Sequence, residues 1–256
     1  MPFAAQWFTT IVVEVMALQV PPGMSSFSVE PGPCSSGAES CPGAKHSSFY
    51  GGWVSQESKE TALLRYRVIA ETAIDVAEHL GCKTLFNEEI PDCVPLKGAE
   101  GMGFITLVAM QIGAAIPESG LREDVLMGRG RSGKPDDVGG EGRGPGNEAC
   151  LMQIHPRLYA HSEELLGYEG LYRCFEVGTE ALVRGLRHCS GMKLTGVPWD
   201  YRMFSIYGTG RACASSNTIK ITRPNGTFYW FSKTEYKLNT FRNVRNMIAD
   251  RVKRFR

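Results

Sequence analysis

One stretch of this chain constrains its fold more than any other: residues Met102 to about Ile116 are apolar on almost every side and include no charged residue. A helix that is apolar all round is normally buried at the centre of a domain, so this stretch predicts a central helix. Pro117 is expected to end that helix, because proline removes a backbone donor and disfavours the helical conformation of its predecessor. Glu118 then follows at the end of a buried element, where we expect its carboxyl to be partly desolvated.

Apolar residues at helical spacing also occur along much of the chain after Ser58. The run from Ser58 to Gly81 is the clearest of these segments, and its final glycine is typical of a helix end. A turn signal at Pro224-Asn225-Gly226, between two short β-prone runs, predicts a hairpin. Further helices are predicted at about 160–166, 170–189 and 200–207, and from about Asn239. The fold class is therefore expected to be mostly α (α+β), with a Gly-rich loop or small β excursion.

Composition divides the chain into three parts. Residues 1–57 are expected to form an irregular N-terminal extension and linker, because residues 21–52 are rich in Pro, Gly and Ser. The apolar start of this part has no basic residues ahead of it and contains Glu14, which is untypical of a signal peptide, and it is too short for a membrane span. Residues 58–215 are expected to be the main domain, and residues 216–256 a hairpin and a basic C-terminal helix.

The charge is balanced overall but not locally. A net charge of +1 gives no reason to expect nucleic acid as the partner of the whole chain. From Arg223 to Arg256, however, nine Lys or Arg residues stand against only two acidic residues, Glu235 and Asp250. An anionic partner such as cell wall, membrane or nucleic acid is compatible with this segment, and so is a simple solvated helix.

The sequence does not decide whether the eight cysteines form disulfides or stay free thiols. No two of them have the C-x-x-C spacing of a zinc site or redox motif, and no metal or organic cofactor is expected. In an oxidising compartment, local disulfides such as Cys82–Cys93 or Cys34–Cys41 are plausible. The alternative is a set of buried free thiols, which behave as small hydrophobic residues.

Three short segments follow one another along the chain in the order of a known set of motifs: Ile116–Arg122 (IPESGLR), Cys150–Pro156 (CLMQIHP) and Ser205–Gly210 (SIYGTG). Together they resemble the E-S-G-F/L, G-L-M-Q-I-x-P and A-Y-N-x-G motifs of the lysozyme-like lytic transglycosylase family, soluble type. Between the last two, Val177–Leu182 (VGTEAL) is similar to the family's "aGtryL" segment. The resemblance covers about residues 60–215 and implies a lysozyme-like domain.

The resemblance also implies a reaction: cleavage of the β-1,4 bond between N-acetylmuramic acid and N-acetylglucosamine in peptidoglycan. Breaking a glycosidic bond requires a proton for the leaving oxygen, and a carboxyl kept protonated by an apolar setting supplies it well. Glu118 at the end of the buried helix fits this requirement. Members of the family use one Glu as both acid and base, so that the sugar's own 6-hydroxyl attacks and a 1,6-anhydromuramic end forms without water.

The resemblance assigns the remaining motif residues to substrate binding. Met152 and Gln153 would line the cleft, with the Gln153 amide bonding to the N-acetyl group or near Glu118. Tyr207 would point its hydroxyl at the Glu118 carboxyl or at the substrate. Ser119 would support the helix end rather than react. No metal ligand is implied.

Two departures from the family pattern leave alternatives open. Gly208 stands where the family usually carries Asn, and Cys150 where it carries a small Gly. The segment before Cys150 includes a Gly-rich run that lacks the G-x-x-x-x-G-K-[ST] pattern of a phosphate-binding loop, but it holds acidic residues that could approach Glu118. If one does, a true lysozyme with a second carboxylate is the better description. The acidic residues that could serve as this second carboxylate are Asp124, Asp136, Asp137, Glu141 and above all Glu148.

Other readings of the chain follow from the same residues. A lysozyme-fold structural component of a phage particle, without activity, stays open because of Gly208. A cysteine peptidase built on Cys150 and His155 is not expected from their proximity in sequence alone. The favoured context is a phage-encoded or virion-associated enzyme acting on the cell wall, in the periplasm or outside the cell. Its partners would be peptidoglycan glycan strands and, through the terminal extensions, tail or capsid proteins.

Overall fold

The computed structural model describes residues 2–20, 58–128, 148–190, 198–209, 213, 218–222 and 228–255. This part of the chain is mostly helical, as the sequence predicts, and it carries one two-stranded sheet. The elements, in chain order, are α1 Pro2–Gln19, α2 Lys59–Gly81, α3 Phe104–Ser119, α4 Glu123–Leu126, a 3-10 turn Ser162–Leu165, α5 Gly167–Ser190, α6 Trp199–Thr209, β1 Thr218–Thr222, β2 Phe228–Ser232 and α7 Lys233–Arg254.

The central helix predicted from the apolar run is α3, and it is buried along nearly its whole length. The predicted stop at Pro117 is wrong, because α3 continues to Ser119 with the proline inside its last turn. A proline so close to a helix end removes only one late backbone hydrogen bond, and the last turn continues to Ser119. Gly120, in the left-handed conformation, ends the helix instead, and its backbone N–H donates to the Ile116 carbonyl at 2.8 Å.

The irregular N-terminal extension is also a wrong prediction for residues 2–19, which form α1. Phe8, Val12 and Val15 of this helix lie in the main hydrophobic core. Its end is held by the Tyr66 hydroxyl of α2, which donates to the Val20 carbonyl at 2.9 Å. A bilayer span is not found among the described helices, since none combines the length and the apolar character that crossing requires.

The basic C-terminal helix α7 packs into the same core, against α3. The two helices approach closely at Gly113, where an added Cβ would lie 2.6 Å from the Cα of Phe241. Phe241, Val244 and Ile248 are buried on the face of α7 that supplies its core contacts. The predicted hairpin before α7 is confirmed as the antiparallel pair β1–β2, while its turn, 223–227, lies outside the described residues.

Replacing Gly113 with Ala should destabilise the protein by about 1–3 kcal/mol, the usual cost of overpacking a core. Helix propensity alone would predict the opposite sign, a gain of about 1 kcal/mol, but the backbone of α7 stands in the way. Urea denaturation measures the free energy of unfolding. Gly101→Ala is the control, because a Cβ there meets nothing within 4 Å and the residue lies outside the helices; an equal loss in both variants would contradict the close packing of α3 and α7.

Three disulfides join described residues. Cys82–Cys93 confirms one of the two local pairs expected from the sequence. Cys34 and Cys41 lie outside the described residues. The other two disulfides link segments that sequence could not pair: Cys150–Cys174 ties the second motif to α5, and Cys189–Cys213 joins the last turn of α5 to the segment after α6.

Candidate active site

The last turn of α3 positions Glu118 and uses Ser119 to do so. The Ser119 hydroxyl donates to the Ala115 carbonyl at 2.8 Å and accepts from the Leu121 backbone N–H at 3.2 Å. Ser119 is itself buried. Its hydroxyl therefore stabilises the helix end, and the structure gives it no route to a substrate, which corrects its place among the substrate-binding residues.

The Glu118 carboxyl has a partner that sequence analysis missed. Its Oε1 forms an ion pair with the ammonium of Lys237 from α7. The Glu118 side chain is 19% exposed and that of Lys237 only 8%, so the pair is largely withdrawn from water. Lys237 was one of nine basic residues of the C-terminal segment and carried no signal of its own. Only the packing of α7 on α3 brings it to this carboxyl.

The second motif folds as a tight turn closed by two backbone hydrogen bonds. The Ala149 N–H donates to the Ile154 carbonyl at 3.0 Å, and the Ile154 N–H returns to the Ala149 carbonyl at 2.8 Å. Cys150 and Gln153 both adopt positive φ angles, 62° and 51°. Non-glycine residues seldom occupy this region, so the turn is held there by its surroundings.

Met152 and Gln153 are placed in this turn differently from the expectation. Met152 is fully buried, and its side chain packs on α5 where Gly178 leaves room: an added Cβ would lie 2.2 Å from the Met152 Sδ. The side chain of Met152 is thus a core residue and does not line a cleft. The Gln153 amide donates to the Cys150 carbonyl at 2.9 Å within the turn.

Tyr207 of α6 links the turn to Glu118. Its hydroxyl donates to the Met152 carbonyl oxygen, whereas the sequence predicts that it points at the Glu118 carboxyl or at a substrate. The Lys237 ammonium lies 5.2 Å from the centre of the Tyr207 ring, within the range of a cation–π contact. Burial, and then the negative charge of Glu118, raise the pKa of the Tyr207 hydroxyl well above its usual value. The three motifs therefore meet at one place, with Lys237 between Glu118 and Tyr207.

Replacing Tyr207 with Phe should cost about 1–3 kcal/mol of unfolding free energy, because the Met152 carbonyl loses its buried donor. The pH dependence has a definite sign. The raised pKa means that the folded state keeps the proton longer than the unfolded chain, so this stabilisation is present below about pH 10 and is lost as pH rises above it. Urea denaturation at about pH 9 and about pH 11 should show the wild type losing more stability than Tyr207→Phe. Parallel losses would contradict the assignment.

Of the five candidates for a second carboxylate, only Glu148 has a side chain among the described residues. Asp136, Asp137 and Glu141 lie outside the described residues, as does the side chain of Asp124. Glu148 directly precedes the turn of the second motif. Within the described ranges, no group of three or more His, Cys, Asp or Glu residues could hold a metal ion. Cys150 is in a disulfide, so a peptidase that uses its thiol is excluded in this state.

In comparisons with protein families, curated proteins and solved structures, no match to this chain is found. The interpretation of the site therefore depends on its own residues and contacts.

Proposed function

We propose that this protein cleaves the glycan strands of peptidoglycan as a lytic transglycosylase, in a lysozyme-like domain, with Glu118 as its general acid and base. One observation supports this above the others: the three separate motif segments converge. Glu118 ends the buried helix α3, and Tyr207 of α6 lies within reach of its charge while bonding to the Met152 carbonyl. Unrelated short matches would have no reason to meet in space.

The proposed chemistry needs one carboxyl. Glu118 gives its proton to the glycosidic oxygen as the bond from that oxygen to the anomeric carbon breaks. The muramic 6-hydroxyl then attacks the anomeric carbon, and Glu118 takes the hydroxyl proton. Glu118 thus regains the proton that it gave, no water is consumed, and the product ends in a 1,6-anhydro ring. A position at the end of a buried helix, with 19% of the side chain exposed, allows contact with a substrate and limits access of water.

The ion pair with Lys237 favours a second candidate function. The Lys237 ammonium contacts the Oε1 oxygen of Glu118, which a leaving oxygen would also have to approach. A lysozyme-fold protein that binds glycan or builds a phage particle without cleaving would have no need of an accessible carboxyl. A true lysozyme, with Glu148 as second carboxylate, is the remaining alternative within the same reaction class.

The disulfides support a place of action outside the reducing cytoplasm. Three of them join described residues, and such bonds persist in extracellular or periplasmic surroundings. This agrees with a protein that works on the cell wall, and association with a virion through tail or capsid proteins remains part of the proposal.

Product analysis tests the reaction. Purified peptidoglycan is digested and its soluble fragments are examined by mass spectrometry. Anhydromuramic ends are expected. Reducing ends would indicate hydrolysis by a lysozyme instead. The absence of soluble fragments with pure, folded protein would favour the non-catalytic candidate.

A further inference from the structure

We propose that Lys237 is a positioning residue that acts through Glu118: it holds the carboxyl in a resting ion pair and must move aside before Glu118 can protonate a leaving oxygen. This inference rests on the proposed function. The Lys237 ammonium contacts Oε1 of Glu118, so a proton on that oxygen would compete with it for the same site.

The movement can involve only the side chain of Lys237. Its neighbour Leu238 and, one turn further on, Phe241 are buried, and the backbone of α7 at Phe241 lies against Gly113 of α3. Displacing α7 would open the core. The lysine stem, by contrast, has several rotatable bonds and carries a compact charge.

Thr234 offers the ammonium a second place to bind. It is fully buried, and its hydroxyl has no hydrogen-bond partner among the described residues. It precedes Lys237 by three residues, so the two share one face of α7. Helical side chains lean toward the N-terminus of their helix, which carries the lysine stem toward Thr234. A buried hydroxyl without a partner is costly, and an ammonium that leaves Glu118 would donate a hydrogen bond to its oxygen.

The charges around Glu118 are compatible with such a switch. Two described groups interact with the Glu118 carboxyl: the Lys237 ammonium of α7 pairs with it, and the Tyr207 hydroxyl of α6 lies within reach of its charge. Tyr207 stays neutral over the ordinary pH range because its pKa is raised. Movement of the Lys237 ammonium would therefore break the ion pair that holds Glu118 in this structure.

Two substitutions test the switch by the rate of peptidoglycan cleavage as a function of pH. Lys237→Met removes the resting pair and should raise the rate at neutral pH about tenfold or more, because the carboxyl is then free to meet a leaving oxygen without displacing an ammonium. Thr234→Val removes the second acceptor and should lower the rate about tenfold. Its melting temperature should stay equal or rise, because an unpartnered hydroxyl is replaced by a methyl group.

Matched controls separate these effects from general damage. Lys253→Met removes a lysine of the same helix whose side chain is 78% exposed, and it should leave the pH profile unchanged. Thr240→Val removes a hydroxyl that bonds to the Tyr236 carbonyl at 2.9 Å, so it should lower stability and keep the rate.

Each outcome decides the proposal. If the wild type cleaves and Lys237→Met cleaves no faster, the proposed function stands and the switch is wrong. If Thr234→Val keeps the wild-type rate, the second position of the ammonium is wrong. If neither the wild type nor Lys237→Met cleaves peptidoglycan, the proposed function fails and the switch fails with it.

Discussion

Replacing Glu118 with Gln should lower the rate of peptidoglycan cleavage by about 10²–10⁴-fold, the contribution expected of a general acid and base. The amide has almost the shape of the carboxyl, and its oxygen can still accept from Lys237, so the fold should persist. It can neither give a proton to the leaving oxygen nor take one from the 6-hydroxyl. Loss of turbidity of a peptidoglycan suspension measures the rate, and circular dichroism checks the fold.

Two further carboxyl variants sharpen this test. Glu163→Gln, at a side chain 65% exposed on the 3-10 turn, should keep the full rate. Glu148→Gln separates the mechanisms: an undiminished rate agrees with a single carboxyl, while a loss comparable to that of Glu118→Gln would indicate a second carboxylate and a hydrolase. If Glu118→Gln itself clears the suspension as fast as the wild type, the catalytic role of Glu118 is wrong.

Local sequence signals predicted the elements best where their physical cause is local. α2 begins and ends as predicted because the Ser58 side chain caps its first turn, accepting from the Thr61 N–H, and Cys82 takes the left-handed conformation after Gly81. The buried helix α3 was predictable for a similar reason, since fifteen residues with no charge leave it no solvated face.

The features that the sequence did not predict depend on tertiary contacts. The pairing of Glu118 with Lys237 depends on how α7 crosses α3, and no pattern along the chain encodes that crossing directly. α1 was mistaken for part of a linker because its apolar residues find their partners in α2 and α7, far along the chain. Proline does not end the helix at residue 117, because the Ser119 hydroxyl and the Gly120 N–H bond to carbonyls of the last turn and keep it helical. Those bonds are what put Glu118 on the helix rather than after it.

The disulfide Cys150–Cys174 should matter for activity more than its energy suggests. Replacing both cysteines with Ala should cost about 3 kcal/mol of unfolding free energy, as for a loop of this length. The same change at Cys82 and Cys93 should cost nearly as much, because the stabilisation varies only slowly with loop length. Only the first pair holds the turn whose Met152 carbonyl accepts from Tyr207. We therefore expect a large loss of cleavage rate in that variant alone, at a temperature where both remain folded.

The backbone of Cys150 allows this effect to be separated from lost stability. At φ 62° the residue is strained unless it is glycine, and the disulfide helps to hold it there. Cys150→Gly with Cys174→Ala should therefore restore much of the rate that Cys150→Ala with Cys174→Ala loses, because glycine adopts this conformation without a covalent tie. Equal rates in the two double variants would mean that the disulfide stabilises the fold but does not position the turn. A higher rate for glycine, with both variants folded, would show that the geometry of this turn limits the reaction.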